Sequence, residues 1–506
     1  MLLKISTRMN RRRFVSAGLI GLTVKAADRP IAGGFVNDGF PLGHKLRDKH
    51  PFAVPKEIRK VPVVIVGGGC AGLSAAWRLN KRGFRDFVLL EMEQQIGGNA
   101  RWGENEVSRY PWAAHYLPVA NRESALVREL CNELGLIKDG VWEERHLCFS
   151  PQERLYIHGR WQDGVEPEIG ATGKDHEQYN RFEQRMHELR ATGQFTKPFE
   201  ATAPRTSPLD NITIREWMRR EKFDSPYLEW YVNYSCRDDY GASIDTTSAW
   251  AGIHEFASRE PDEKGPLTWP EGNGWLVERL KEKLSRFLTA SAPVYRVSHE
   301  GAKWKVWTEQ AAYLADTVIW AAPTFVGSYV VEGAPPHCGF TYSPWITANL
   351  TLDRMPDRVG DLAWDNVIYD SPSLGYVTAT HMNLKTVQKQ SVWTYYWALV
   401  DKSPAEYRKI LLEKDWGYWR ELILRDLSKA HPDIRQCVSR VDIMRLGHAM
   451  ARPVPGFLNS PERRRWIQGE PGLFYANSDL SGFSIFEEAQ FRGVQAADRA
   501  MTRIGR

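Results

Sequence analysis

The 506-residue sequence predicts an α/β protein in which a Rossmann-type dinucleotide-binding domain is joined to a second domain of mixed sheet and helices. Three observations carry that expectation. A β-branched strand, a glycine-rich turn, a helix and a second strand follow one another between residues 61 and 91. The chain beyond them switches repeatedly between helical periodicity and strand-like alternation. Its length also exceeds what one ordinary core supports, which points to about two or three folding units.

From the N-terminus, residues 9–24 read MNRRRFVSAGLIGLTV, with Arg11, Arg12 and Arg13 ahead of Phe14 and a short, mildly apolar stretch. That is the pattern of a twin-arginine export signal, assigned to residues 1–27. It implies the twin-arginine machinery as a partner and a periplasmic or secreted location; a basic tail beside a helix is the plainer alternative. Lys4, Arg8, Arg11, Arg12, Arg13 and Lys25 are its charges, so removing it takes the formal net charge from +5 to about −1. A near-neutral mature chain gives no electrostatic case for binding nucleic acid or an anionic membrane. No run approaches about eighteen uncharged apolar residues, so no spanning helix is expected in it. The hydrophobic and charged fractions, 42% and 25%, are those of a globular protein, and 20 tryptophans favour aromatic-lined cavities. Six scattered cysteines form no C-x-x-C pair, so no metal site is expected and buried free thiols are the simplest reading.

Residues 28–60, rich in Gly, Pro and charge, read as an arm. Then VPVVIVGGGCAGLSAAWRLNKRGFRDFVLLE begins at residue 61. Val63 to Val66 suit a strand buried on both faces. Gly67, Gly69 and Gly72 supply G-x-G-x-x-G, a helix is expected from Leu73 to Lys81, and the strand Phe87 to Leu90 ends in Glu91. The glycines permit a tight turn and close backbone approach, the helix N-terminus faces a pyrophosphate, and the carboxylate takes ribose hydroxyls. NAD and FAD share this unit. IGGNARWGENEVSRYPWAAHYLP follows at residues 96–118 and concentrates two Trp, two Tyr, a His and two Arg behind Gly97 and Gly98.

Residues 120 to 235 are largely helical in pattern, as in NRESALVRELCNELGL and TIREWMRREKF, and TSAWAGIHEFAS adds a helix. Gly272 to Gly274 form a turn before another helix. Residues 340 to 400 alternate like strands in TANLTL and SVWTYYWAL, and one long amphipathic helix is expected over about 404–430.

Three widely separated pieces resemble the FAD-dependent amine oxidase superfamily of flavin-containing amine oxidoreductases. EMEQQIGGNARWG is similar to the segment that family runs beside the pyrophosphate and flavin. Gln95 and Asn99 stand where the family usually has Arg, and Arg101 is the candidate replacement beside Gly97 and Gly98. In SAPVYRVSHEGAKWKVWTEQAAYLADTVIWAAP, residues 291–323, Val294 matches a backbone contact to adenine. GLFYANSDLSGFSIFEEAQFRGVQAADRAM, residues 472–501, resembles the closing FAD segment, with a strand Leu473 to Ala476, then Asp479, and Glu487, Ala489 and Gly493 on a helix. The resemblance implies an FAD domain assembled from residues 61–120, 266–335 and 456–506. Residues 121–265 and 336–455 would form the substrate domain.

It also implies oxidation of an amine by hydride transfer to flavin N5. Trp102, Tyr110, Trp112, His115 and Tyr116 become candidates for the flavin pocket, His115 as a proton acceptor. Ile485 falls where the family has one ring of an aromatic cage. Thr347 falls where many members keep a Lys bonded to a water beside N5. Its absence points to a dehydrogenase whose acceptor, whether oxygen, a quinone or a redox protein, the sequence does not give. His448 and Arg452 are candidates for orienting a polar substrate. Asp238 and Asp239, in SCRDDYGAS, either meet a cationic amine or cap a helix. The expectation is an exported FAD-dependent oxidoreductase acting on a polyamine-like small molecule. A carotenoid- or porphyrinogen-type desaturase and a non-catalytic flavin electron-transfer partner are the alternatives.

Overall fold

The computed structural model describes residues 30–36, 39–199, 207–260, 265–357, 360, 362–383 and 388–505. The export-signal reading of residues 1–27 lies outside them. Among the described residues no helix is long and apolar enough to cross a membrane.

A five-stranded parallel sheet forms one half of the molecule, in the order Leu288–Thr289, Phe87–Leu90, Val63–Val66, Thr317–Trp320, Leu473–Tyr475. Its central strand, Val63–Val66, is buried along its whole length. That is why it reads as an unbroken β-branched run. The helix Cys70–Lys81 follows, three residues longer at its start than the sequence predicts, with Gly69 as its N-cap. A Cβ at Gly72 would lie 1.9 Å from the Gly67 carbonyl oxygen, and one at Gly493 would lie 2.1 Å from that of Ala71. These two glycines let the turn close and let the C-terminal helix Phe486–Arg503 pack directly on Cys70–Lys81.

The other half is built on an eight-stranded mixed sheet. The strand Tyr342–Leu352 pairs antiparallel with both Ser391–Ala398 and Val438–Ala451. Toward one edge follow Gly375–Thr378, Asp365–Ile368, Glu153–Ile157 and Arg160–Asp163. The last two correct the helical reading of residues 120–235: short strands ERLYI and RWQD sit between the helices Ala125–Glu133 and Gly173–Ala191. The single helix expected over 404–430 is two, Pro404–Glu413 and Trp416–Leu427. Asp415 separates them by capping the second, its carboxylate accepting the Tyr418 N–H at 2.8 Å.

The arm enters both halves. Ala32–Phe35 adds a parallel strand beside Val438–Ala451, and Ile58–Lys60 joins the small sheet formed by Arg296–Glu300, Lys303–Trp307 and Ala312–Ala315. Val294 precedes that sheet rather than lying in it, because Ser291 has φ +53° and Pro293 follows, which delays the strand to Arg296.

Candidate active site

The dinucleotide end is shaped by backbone. Gly69 and Gly97 form a parallel bridge, and a Cβ added at Gly69 would meet only the Gly98 Cα, at 3.9 Å. The two glycine segments therefore face each other across a slot that side chains leave open. Cys70–Lys81 begins at that slot with no side-chain cap, and Phe486–Arg503 likewise begins at Ile485 without one. Two helix N-termini thus keep their amide N–H groups and positive dipole ends available to an anionic ligand. Glu91 closes the slot, its carboxylate accepting the Gly68 N–H at 2.6 Å and the Glu93 N–H at 2.8 Å. Burial raises its pKa, and these two amides oppose the rise. Backbone hydrogen bonds from Ala292 and Ser291 to the carbonyls of Glu91 and Glu93 bring Val294 to the same edge. An open glycine slot, two uncapped helices and an acid at the strand end fit a dinucleotide of the FAD type.

The remaining cofactor candidates are placed as follows. Arg101 is tied to Glu93 at 3.2 Å and donates to the Gly98 carbonyl at 3.0 Å, so its guanidinium fastens the glycine turn. Asp479 is buried and accepts from Tyr342 Oη at 2.6 Å and from the Thr324 N–H at 2.8 Å, joining the closing segment to both halves. Glu487 and Ala489 are buried in the first turns of the C-terminal helix.

From this end a cavity of about 440 Å³ runs into the second domain. Asn99, Ser484, Ile485, Phe486 and Glu487 line its cofactor side. His115 stands on its wall, one residue past Ala114, whose N–H is bonded to the Asn99 carbonyl. The imidazole packs among Tyr396, Tyr116 and Trp364 at ring separations of 4.6, 5.0 and 5.5 Å. Its Nδ1 pairs with the Ala113 carbonyl at 3.2 Å. That bond assigns the proton to Nδ1 and leaves Nε2 as an acceptor. Burial lowers its pKa to about 4, so the ring is neutral at pH 7. Thr347 is buried in the long strand and lines the cavity, with no partner for its Oγ1; Asn273 Oδ1 is in the same condition.

His448 is elsewhere. The strand Val438–Ala451 bulges between Leu446 and Met450, where its register against Ser343 and Trp345 slips. The bulge turns His448 outward onto Phe325, ring centroids 4.4 Å apart, while Leu446, Ala449 and Met450 line the cavity. Arg452, also off the cavity wall, donates to Thr246 Oγ1 at 2.8 Å. Of the aromatic candidates, His115 and Tyr116 reach the cavity. Trp102 packs on Gly274, and Tyr110 and Trp112 fill a small core with Val392 and Met444.

The far wall is acidic. Asp238 and Asp239 occupy the last turn of the helix Pro226–Tyr240, and Glu255 comes from Ala249–Ala257. Asp365 and Glu153 sit opposite one another in the register of two paired strands. All five carboxylates line the cavity, beside Tyr116, Tyr234, Trp364 and Tyr396. Burial, then the charge of Glu255, raises Asp238 to about 7. Asp365 and Asp239 are pushed well above the carboxylate range by burial and then by their acidic neighbours. Glu255 stays low in spite of burial because Arg259, at 2.5 Å, and Lys197 are close. Sequence reasoning marked Asp238 and Asp239 but had no signal for Glu153, Glu255 or Asp365, which only the tertiary fold brings together.

Comparison with known proteins agrees with this geometry. Residues 65–134 match the NAD(P)-binding Rossmann-like domain family. A Dictyostelium discoideum protein described as a probable flavin-containing monoamine oxidase A is 23% identical over 332 residues, covering 61% of this chain and 65% of its own length. A putrescine oxidase structure with putrescine bound superposes with a TM-score of 0.69 at 15% identity, covering 88% of this chain and all of that one. Cyclohexylamine oxidase from Brevibacterium oxydans superposes with a TM-score of 0.66 at 14% identity over 88% of this chain and all of that one. The fold is therefore that of the flavin-containing amine oxidases.

Proposed function

We infer that this chain, having the fold of the flavin-containing amine oxidases, is an FAD-dependent oxidoreductase that oxidises a cationic, polyamine-like amine. The observation that carries the reading is one continuous cavity joining the cofactor cradle to a wall of carboxylates and aromatic rings. Carboxylates and ring faces attract an alkylammonium ion as it leaves water. The same wall argues against a carotenoid-type desaturase, whose apolar substrate would bury those acids unpaired. The cavity itself argues against a flavin protein with no substrate pocket.

Gly67, Gly69, Gly72, Gly97 and Gly98 would admit the pyrophosphate to the two helix N-termini, and Glu91 would take the ribose. FAD, when bound, supplies the acceptor for the hydride that leaves the carbon next to nitrogen. The chain's own groups prepare that nitrogen. Asp238, raised to about 7 and so partly ionised at neutral pH, would hold the arriving ammonium and accept its proton, because the amine has to be uncharged to be oxidised. His115 stays neutral and offers Nε2 as an acceptor, while Thr347 Oγ1 and Asn273 Oδ1 are unfilled polar atoms available to the substrate nitrogen or a water. Tyr116, Trp364 and Tyr396 supply the ring faces that Ile485 does not. Thr347, standing where related enzymes keep a Lys, favours an acceptor other than oxygen. Export through the twin-arginine route, read from Arg11 and Arg12, places the activity outside the cytoplasm.

The test is anaerobic. The visible spectrum of the purified mature protein is followed against polyamines, aromatic amines and amino acids, and bleaching by the aliphatic polyamines is expected. A bound flavin that no amine reduces would refute amine oxidation. A protein that FAD cannot reconstitute would refute the cofactor as well.

A further inference from the structure

The arm adds little to the core. Of its described residues between 30 and 60 only Leu46 is buried, and the strand Ile58–Lys60 is exposed throughout. It is nevertheless fastened in both halves of the molecule. At Ala32–Phe35 it pairs so closely with the eight-stranded sheet that a Cβ on Gly33 would lie 1.9 Å from the Val441 carbonyl oxygen. Arg445 of that sheet lies over the rings of Phe35 and Phe40, at 3.9 and 5.1 Å. In the other half Phe52 stacks on Tyr295 at 4.8 Å, Tyr295 Oη donates to the Ala53 carbonyl at 3.3 Å, and the Ala53 N–H donates to Glu309 at 3.2 Å. A segment anchored at both ends with so little apolar burial serves something other than the core.

Between its anchors the arm meets the cofactor cradle. The helix Phe40–Arg47 starts at Gly39, which has φ +64° and no side chain to cap the helix. Glu93 stands at that place: a Cβ on Gly39 would lie 2.0 Å from Glu93 Oε1. The positive end of the helix favours the carboxylate, and glycine both adopts the left-handed turn and leaves room for the anion. The other oxygen, Glu93 Oε2, is 3.2 Å from Arg101 Nη1, and Arg101 Nε donates to the Gly98 carbonyl at 3.0 Å. One line of contacts therefore runs from the arm through Glu93 and Arg101 to the glycine that faces Gly69 across the slot. The two charged side chains are only 17% and 13% exposed, so salt screens their pairing less than it would at the surface.

We propose that Gly39 and Glu93 are positioning residues of the cofactor site: the arm's turn at Gly39 seats the Glu93 carboxylate, Glu93 holds Arg101, and Arg101 keeps the Gly98 turn in place at the slot. The assignment rests on the dinucleotide lying in the glycine slot and adds the arm to that site, so that FAD is retained by a segment outside the Rossmann unit.

The test measures how fast FAD leaves the loaded full chain, from the rise in flavin fluorescence after dilution, and how fast the deflavinated chain takes it up. In Gly39→Ala the new methyl displaces the end of a flexible side chain rather than backbone, so the deflavinated protein should melt within about 2 °C of the unaltered one. Release of FAD should nevertheless be about tenfold faster, the effect of losing one charge-assisted contact, with uptake within about threefold. Glu93→Gln, which keeps the shape of the side chain, should do the same and carries the test if Gly39→Ala folds poorly. Because the residues act in one line, adding Gly39→Ala to Arg101→Gln should speed release by less than about twofold more, a coupling that mere loosening of the arm would not produce. Gly43→Ala, in the same helix, where a Cβ meets nothing within 4 Å, should release FAD at the unaltered rate. Unchanged release in both Gly39→Ala and Glu93→Gln, fully additive effects with Arg101→Gln, or slower release from Glu93→Gln would each overturn the assignment. Those outcomes leave the glycine slot standing; an unaltered chain that takes up no FAD would remove the slot itself.

Discussion

Gly69→Ala separates the cofactor cradle from the fold that builds it. Gly69 has φ −75° and ψ −175°, extended backbone that alanine adopts without strain. Its added methyl would meet only the Gly98 Cα, at 3.9 Å, so the protein itself has room for it. Replacing glycine by alanine at an N-cap costs about 1 kcal/mol or less, a shift of roughly 2 °C in melting temperature for a large chain. A pyrophosphate against this turn does not have that room, because the methyl projects into the slot between Gly69 and Gly98. Losing two amide-to-phosphate bonds of about 1.5 kcal/mol each amounts to roughly 3 kcal/mol, or about 150-fold in Kd. Gly72→Ala supplies the contrast. Its Cβ would lie 1.9 Å from the Gly67 carbonyl oxygen, which forces the backbone apart and costs about 3 kcal/mol or more of stability. The assay is titration of FAD into deflavinated protein, followed by flavin fluorescence, with thermal melts of the apo forms. Gly69→Ala should melt like the unaltered protein and bind FAD poorly; Gly72→Ala should melt early. A Gly69→Ala protein with undiminished FAD affinity would refute placing the pyrophosphate over this turn.

Three further outcomes follow from the site. Asp238, Asp239 and Asp365 all have pKa values raised by burial and by Glu255 and Glu153, against the opposing charges of Arg259, Arg237 and Lys197 and beside the neutral Tyr116, Tyr234 and Tyr396. Asp238 therefore keeps its proton in the folded chain over part of the range between about pH 4 and 7, while burial strips protons from His115, His254, His337 and His448 over the same range, so the melting temperature of the unaltered protein relative to that of Asp238→Asn, rather than its absolute value, should fall as pH rises through that window. The reduced protein should reoxidise slowly in air, and Thr347→Lys should speed that step about tenfold or more in stopped-flow; an unchanged rate would remove Thr347 from the choice of acceptor. Arg11→Lys with Arg12→Lys should leave the flavin-loaded protein in the cytoplasm by fractionation; continued export would disprove the signal.

The cofactor half was legible in the sequence because its requirements are local. Gly67, Gly69 and Gly72 are fixed by a turn a few residues long, Val63–Val66 declares its burial by composition, and Glu91 follows at the end of the next strand. Where the sequence misled, a single residue usually tipped a local balance. Asp415 caps a new helix and splits the expected long one, and Ser291 with Pro293 delays a strand until after Val294. His448 shows a different limit. Its placement depends on a bulge in a strand of 14 residues, and alternation cannot reveal which positions slip. The acidic wall was half legible, since Asp238 and Asp239 adjoin in sequence. Glu153 and Asp365 are separated by more than two hundred residues and meet only through the register of two short strands.

The distribution of charge along the cavity answers a conflict in amine chemistry. Recognition in water favours the ammonium, whereas removal of hydride needs the lone pair free. One binding station cannot serve both at full strength, because carboxylates that hold a cation tightly also hold its proton in place. The cavity offers groups of both kinds. Some of the polar groups on its wall are uncharged at neutral pH: His115, with its pKa lowered by burial, the Thr347 hydroxyl and the Asn273 amide. Among the acids Asp238, Asp239 and Asp365 crowd one another, and Glu255 is held low by Arg259 and Lys197. On the proposed reading, an ammonium against these acids would relieve their crowding, and once it has lost its proton its nitrogen would meet neutral acceptors. The instability built into the wall would then be a source of attraction for a cation, and the neutral groups beside it a place where the lone pair is freed.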